Sequence, residues 1–274
     1  RANTTISMAL LAAIFAIYRI DSGRRLRMER ELGRAVRNGD IEVHYQPQVR
    51  GNGMVSGVEA LLRWRHPSGR LLSPEAFIHL AEESTLIREI GLEVLRQACE
   101  LLQAWSTDPR TRSLRVAVNI SPVQLLDDSL VASVAQRIQA TGIDPSLLEF
   151  ELTESALSTE GAAMIARMDA LESTGVSWAL DDFGTGYSSL ATLRTLPVRT
   201  LKIDRQFLAE ATRQESAQRL LGKIIEISHV MGMDALVEGV ETREQRDLLI
   251  HLGCDHFQGY LFARPMPRAA LHAW

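Results

Sequence analysis

Residues Thr200–Val240, TLKIDRQFLAEATRQESAQRLLGKIIEISHVMGMDALVEGV, read as one strand–helix–strand unit. Thr200–Asp204 is a short apolar strand closed by an acid, Ser216–Met231 is a helical pattern, and Ala235–Val240 is a second strand. Parallel strands need a crossover of a dozen or more residues, and the helix supplies it. The same alternation extends outward in both directions. Further strands are expected at Glu42–Val49, Val55–Trp64, Leu114–Ile120, Leu147–Thr153, Ser177–Asp182 and His256–Tyr260. Helical patterns at Pro74–Ala81, Arg88–Trp105, Leu130–Ala140, Gly161–Ser173 and Arg243–Leu252 lie between most of them. Such alternation implies an α/β fold with a largely parallel sheet covered on both faces. About eight strands in one chain favour a closed TIM-like (βα)8 barrel over an open sheet. One strand is irregular: the polar turn Arg50–Gly53 between the first two is too short for a crossover, so that pair should be antiparallel.

The chain has 274 residues, 46% hydrophobic and 23% charged, with a formal net charge of −4. This composition suits a folded enzyme and argues against disorder. The mild acidity argues against a DNA or RNA polymer as partner, which needs a basic footprint. Two cysteines, Cys99 and Cys254, do not make a disulfide framework. The seven histidines show no metal-ligand spacing and read as solvated or core-satisfied.

The N-terminal segment is of a different kind. Ala2–Tyr18 carries no charge, and Arg19, Arg24, Arg25, Arg27 and Arg30 follow it. Residues 1–20 are read as the end of a transmembrane helix, because arginines mark the cytoplasmic flank of a span. The chain begins with Arg and is expected to be part of a longer one. Residues 21–38 form a basic, amphipathic linker helix before the barrel, and 39–274 form one catalytic domain. The expected location is the inner membrane, with the catalytic domain in the cytoplasm.

In βα barrels the chemistry gathers where strands end and βα loops begin. Here Glu59, Asn119, Glu151, Glu154, Asp181, Asp182, Lys202, Asp204, Glu238 and Glu241 all fall at or near that edge. Taken singly, each has a plainer explanation. Glu59 would pass for a solvent-facing strand residue, the Asp pair for helix caps, and Lys202 for half of an ion pair. Five strands ending in such groups is another matter. Carboxylates buried together repel unless cations neutralise them, and an all-oxygen donor set suits Mg²⁺ or Mn²⁺.

The motifs Glu59-Ala60-Leu61 with Arg63-Trp64, Tyr45-Gln46-Pro47, Val118–Ser121, Glu151–Ser155, Asp181–Leu190, Leu201–Asp204, Glu238–Glu241, Gln258–Tyr260 and Arg264-Pro265 occur in this order. Together they resemble the EAL family of cyclic di-GMP phosphodiesterases, from about residue 30 to about 268. The resemblance implies that two Mg²⁺ or Mn²⁺ ions occupy each active site. Glu59, Asn119, Glu151, Asp181 and Glu238 would serve the first metal, and Asp182 and Asp204 the second metal and its water. It implies that Lys202 lies near the attacking water and that Glu154 steadies the loop after the Asp pair. Gln46, Arg63, Glu241, Gln258, Arg264 and Pro265 would face the substrate. The implied reaction is hydrolysis of cyclic di-GMP to linear pGpG by a metal-activated water, in a homodimer. A catalytically silent receptor or interaction module is the alternative. A carboxylate glycosidase would explain paired acids but not the asparagine and lysine.

Overall fold

Strand β5, Leu148–Thr153, is buried at its first five residues, although two of them are glutamates. The reason is the period of a strand, whose successive side chains point to opposite faces. Glu149 accepts a hydrogen bond from the Thr200 hydroxyl at 2.8 Å, and Glu151 accepts one from Lys202 Nζ at 2.8 Å. Both glutamates therefore share the barrel interior with β7, Thr200–Ile203. Leu148, Phe150 and Leu152 point the other way. There Phe150 packs beside Trp178, and Trp178 donates its indole N–H to Met168 O in helix α6, Leu157–Glu172. The interior is polar and the outer surface of the sheet is the apolar core under the helices.

The structure is a computed structural model and describes residues 23–184 and 190–271. The expected transmembrane end at residues 1–20 lies outside the described residues. Among those described, no helix is long and apolar enough to cross a membrane. The chain divides into two units, residues 1–42 with 63–90 and residues 43–62 with 91–274.

The larger unit carries the barrel. Its ring runs β1 (Ile41–Arg50), β9 (His256–Gln258), β8 (Asp234–Val237), β7, β6 (Ser177–Phe183), β5, β4 (Arg115–Asn119) and β2 (Val55–Arg65). Pairing of β1 with β2 closes it. From β2 round to β9 each neighbour is parallel to the last, whereas β1 is antiparallel to β9. The irregular strand inferred from the short Arg50–Gly53 turn is thus β1. All eight expected strands occur, with ends shifted by a few residues. The two-residue strands β3 (Leu71–Leu72) and β10 (Met266–Pro267) were not foreseen, being too short to carry a period. Helix α8, Arg205–Ala211, was also missed, because it follows β7 with only Asp204 between them. Cys99 and Cys254 are buried and free.

The smaller unit contains helix α1 (residues 23–38), the end of β2 and β3, which pair through Trp64↔Leu72 and Arg65↔Leu71. Trp64 meets Phe77 edge-on at 5.7 Å, and His66 Nε2 lies 3.3 Å from Glu31 Oε2 of α1.

Candidate active site

Lys202 is 1% exposed in the middle of β7, with its ammonium ringed by carboxylates. Its Nζ lies 2.8 Å from Glu151, 2.9 Å from Glu238, 3.2 Å from Asp181 and 3.5 Å from Glu59. Glu151, Asp181 and Glu238 come from the carboxyl-terminal ends of β5, β6 and β8, and Glu59 from the middle of the longer β2. Register explains the convergence. Glu59 sits opposite Ala117 on β4, Asn119 opposite Glu151, and Thr153 opposite Asp181. Asn119 Nδ2 donates to Glu59 Oε1 at 2.8 Å, and Gln258 Nε2 donates to Glu59 Oε2.

Adjacent residues on a regular strand face opposite sides, so Asp181 and Asp182 should not share a site. The pairing of β6 with β7 slips between Leu180 and Phe183, and Asp182 takes φ of 54°. That irregularity turns both acids to the same mouth: carboxylate oxygens of Asp181, Asp182 and Glu238 lie within 4.8 Å of one another. A second trio, Glu59, Glu151 and Asp181, meets the same limit. Left-handed backbone is costly for most L residues, with Asp and Asn among the exceptions.

The charges do not balance. Burial pushes Glu151, Asp181 and Glu238 above the usual carboxylate range, Glu238 to about 8, and neighbouring acids add to the effect while Lys202 opposes it. Asp182 is raised to about 6, by burial first and then by Asp181 and Asp204. Burial works on Glu59 too. There Lys202 and the hydrogen bonds from Gln258 and Asn119 outweigh it and hold the carboxyl below its ordinary value. The surrounding acids keep Lys202 protonated far beyond its usual range in spite of its burial. One lysine cannot neutralise this ring. Glu151 Oε1, moreover, is buried without a hydrogen-bond partner. An excess of negative charge, an orphaned carboxylate oxygen and donors that are all oxygen fit hard divalent cations.

Around the ring the expected residues divide. Glu154, 1% exposed, stands in a one-turn 3-10 helix after β5 and accepts the Gly184 backbone N–H at 2.7 Å. Gly184 has φ of 100°, and a Cβ there would come within 2.2 Å of the Phe207 ring. The rest of that loop, residues 185–189, lies outside the described residues. Asp204 acts as N-cap of α8, accepting from Gln206 N at 2.8 Å; it is close enough to raise Asp182 but joins neither acidic trio. Gln46 and Gln258, read from sequence as substrate-facing, are buried and tied to each other at 3.2 Å, and Gln258 holds Glu59. Glu241 is exposed at the head of α10, Arg243–His251, where its N–H donates to Gln245. The Arg264 guanidinium lies 4.2 Å from the Tyr260 ring centre, and Arg63 is carried on β2. Sequence reasoning missed Gln48, whose Nε2 donates to Gln258 Oε1 at 3.2 Å, and Glu149. The signal available was spacing: each lies two residues along the same strand from a residue that was chosen.

The EAL domain family model matches residues 29–265. The chain belongs to the EAL domain family. The EAL chain is 41% identical over 249 residues to the cyclic di-GMP phosphodiesterase NbdA of Pseudomonas aeruginosa, covering 90% of this chain and 32% of that protein. It is 34% identical to the cyclic di-GMP phosphodiesterase PdeR of Escherichia coli, over 91% of this chain and 37% of that one. The EAL chain thus spans about a third of the length of the curated relatives it matches. Among solved structures, the PaMucR phosphodiesterase in complex with c-di-GMP superposes with a TM-score of 0.84 at 38% identity. That match covers 88% of this chain and 98% of the other.

Proposed function

We propose that this EAL domain is a phosphodiesterase that hydrolyses cyclic di-GMP to linear pGpG. The observation that carries the reading is the ring of Glu59, Glu151, Asp181 and Glu238 closed on Lys202, with Asp182 turned into it. A silent receptor has no need to keep five acids under mutual repulsion at one mouth. The named activity of NbdA and PdeR supports the same substrate.

Glu59, Asn119, Glu151, Asp181 and Glu238 would hold one Mg²⁺ or Mn²⁺, and Asp182 with Asp204 a second. Bound there, such ions would supply positive charge for a phosphodiester and lower the pKa of a bound water. The chain's own residues do the rest. Gln258 and Asn119 fix the two oxygens of Glu59, so that its orientation does not depend on a ligand. Lys202 supplies a permanent positive charge beside the reacting water and orients it by donation. Glu154, through the Gly184 N–H, sets where the strand end bearing Asp182 points. Arg63 offers a bidentate fork for a phosphate oxygen, and Gln46, Glu241, Gln258, Arg264 and Pro265 complete the substrate side.

The reading extends to assembly and place: a homodimer, held at the inner membrane by residues 1–20 with the barrel in the cytoplasm. The uncharged run Ala2–Tyr18 with its arginine flank supports that anchor. The deciding experiment incubates purified chain with cyclic di-GMP and Mg²⁺, with and without EDTA, and resolves the nucleotides chromatographically. Linear pGpG that forms only with metal is expected. Absence of product would end the enzyme reading, and tight binding without turnover would establish the receptor.

A further inference from the structure

One layer beneath the catalytic ring, the beginnings of the parallel strands and the end of the antiparallel β1 line an open-mouthed cavity of about 290 Å³. Its lining includes Gln48 and Arg50 of β1, Arg115 of β4, Glu149 of β5, Thr200 of β7 and His256 of β9. The volume is at the lower end of small-molecule sites, which run to roughly 300–1,000 Å³. Strand period places it. Glu149 precedes Glu151 by two residues, Thr200 precedes Lys202 and His256 precedes Gln258, so each of these three lining residues sits one layer below an inward-facing residue of the upper site.

The lining has unused binding capacity. His256 is 7% exposed, yet its Nε2 has no hydrogen-bond partner. Such a group is rare in a finished core. Arg50 and Arg115 line the same cavity as this imidazole. Burial first, then the charge of Arg50, lower its pKa from the ordinary value, with Asp234 and Asp255 opposing and Arg115 adding to the effect. Neither guanidinium is fully engaged within the protein. Arg115 reaches Glu149 only at 3.9 Å with 39% of its side chain exposed, and Arg50 reaches Asp255 at 3.4 Å. Two forked cations at the mouth suit an oxyanion. The deeper groups, Glu149 with its Thr200 hydrogen bond and His256 with its unpartnered Nε2, suit hydroxyls. A bare phosphate would meet the Glu149 carboxyl, and a plain polyol would leave the arginines to water.

We propose that this cavity is a second ligand site, binding a small polyhydroxylated oxyanion with its acid group on Arg50 and Arg115 and its hydroxyls on Glu149, Thr200 and His256. The site communicates with the ring above. Gln48, which lines it, donates to Gln258, and Gln258 donates to Glu59, so the ligand sits two amides from a carboxylate of the catalytic mouth.

The test is calorimetric titration of the chain in Mg²⁺ buffer with gluconate, a carboxylate source, and separately with glycerol 3-phosphate, a phosphate source. At least one should bind saturably. Arg115→Gln removes a charged fork from a part-exposed side chain; it should leave the circular dichroism spectrum unchanged and weaken binding about tenfold or more. Arg50→Gln serves the same purpose if Arg115→Gln fails to fold. Glu59→Gln, which changes the upper ring and no residue of the cavity lining, should still bind the probe. The proposal is overturned if neither probe saturates, if the arginine variant binds as wild type does, or if Glu59→Gln abolishes binding, since the probe would then be sitting at the metal ring. None of these outcomes depends on hydrolysis of cyclic di-GMP.

Discussion

Lys202 Nζ and Glu151 Oε2 lie 2.8 Å apart, both at most 1% exposed, on strands separated in the sheet by β6. This pair ties together two next-but-one strands inside the barrel and is the hub of the acidic ring. Removing one partner of a buried pair leaves an uncompensated charge, at a cost of about 3–5 kcal/mol. Lys202→Met should therefore lower the unfolding free energy of metal-free protein by about that amount. Divalent cation should restore much of it, because the orphaned acids then have another counter-charge. Denaturant titrations with EDTA and with Mg²⁺ would show this, and equal losses in both buffers would contradict it.

The raised carboxyls set a pH dependence. A carboxyl whose folded pKa exceeds its unfolded value stabilises the protein fully below the unfolded pKa, and that contribution disappears as pH rises through the folded value. For Glu238 the window runs from its ordinary 4.5 to about 8. Metal-free protein should accordingly lose stability across that range. Saturating Mg²⁺ should flatten the slope by favouring the ionised form. Thermal midpoints measured across the window, with and without the ion, would settle the sign.

Glu154 accepts the Gly184 backbone N–H just beyond the strand end that bears Asp182. Misplacement of reacting groups by about 1 Å can cost roughly 10²-fold in rate. Glu154→Ala should lower kcat by an amount of that order and leave cyclic di-GMP affinity nearly unchanged. Steady-state kinetics beside equilibrium binding would separate the two. Weakened affinity with turnover intact would remove Glu154 from this role.

Asp182→Asn keeps a residue type that tolerates φ of 54° and removes one acid from the trio with Asp181 and Glu238. The variant should melt near wild type and retain cation binding at the Glu59 trio, but lose hydrolysis. Asp182→Val should also lose about 1–2 kcal/mol of stability, because a β-branched residue is strained there. Calorimetric metal titrations and melting curves of both variants would test the pair.

The eight barrel strands and the antiparallel β1 were legible because strand–helix alternation and a four-residue turn leave few topologies open. Glu151, Asp181 and Glu238 were legible for a related reason: each lies at or just past the end of a strand, and βα barrels bring strand ends together. Glu59 sits in the middle of β2 and was legible through its motif instead. Other features were not. The slip that turns Asp182 toward Asp181 leaves no trace in composition, since Asp-Asp in the run Asp181-Asp182-Phe183-Gly184 reads equally well as a helix cap. The coupling of Gln46, Gln48 and Gln258 depends on β1 and β9 meeting across more than two hundred residues of sequence. His256 resembled any core histidine until its Nε2 was found without a partner.

The backbone at Asp182 also bears on how such a domain changes over generations. Only a few residue types sit comfortably in the left-handed region, chiefly Gly, Asn and Asp. Both alternatives to Asp are one base away from either of its codons. A single transition can therefore remove an acid from the ring while the backbone of the barrel stays as it is. Of the ring's acids, Asp182 is thus where a gene could most cheaply trade an enzyme for a sensor.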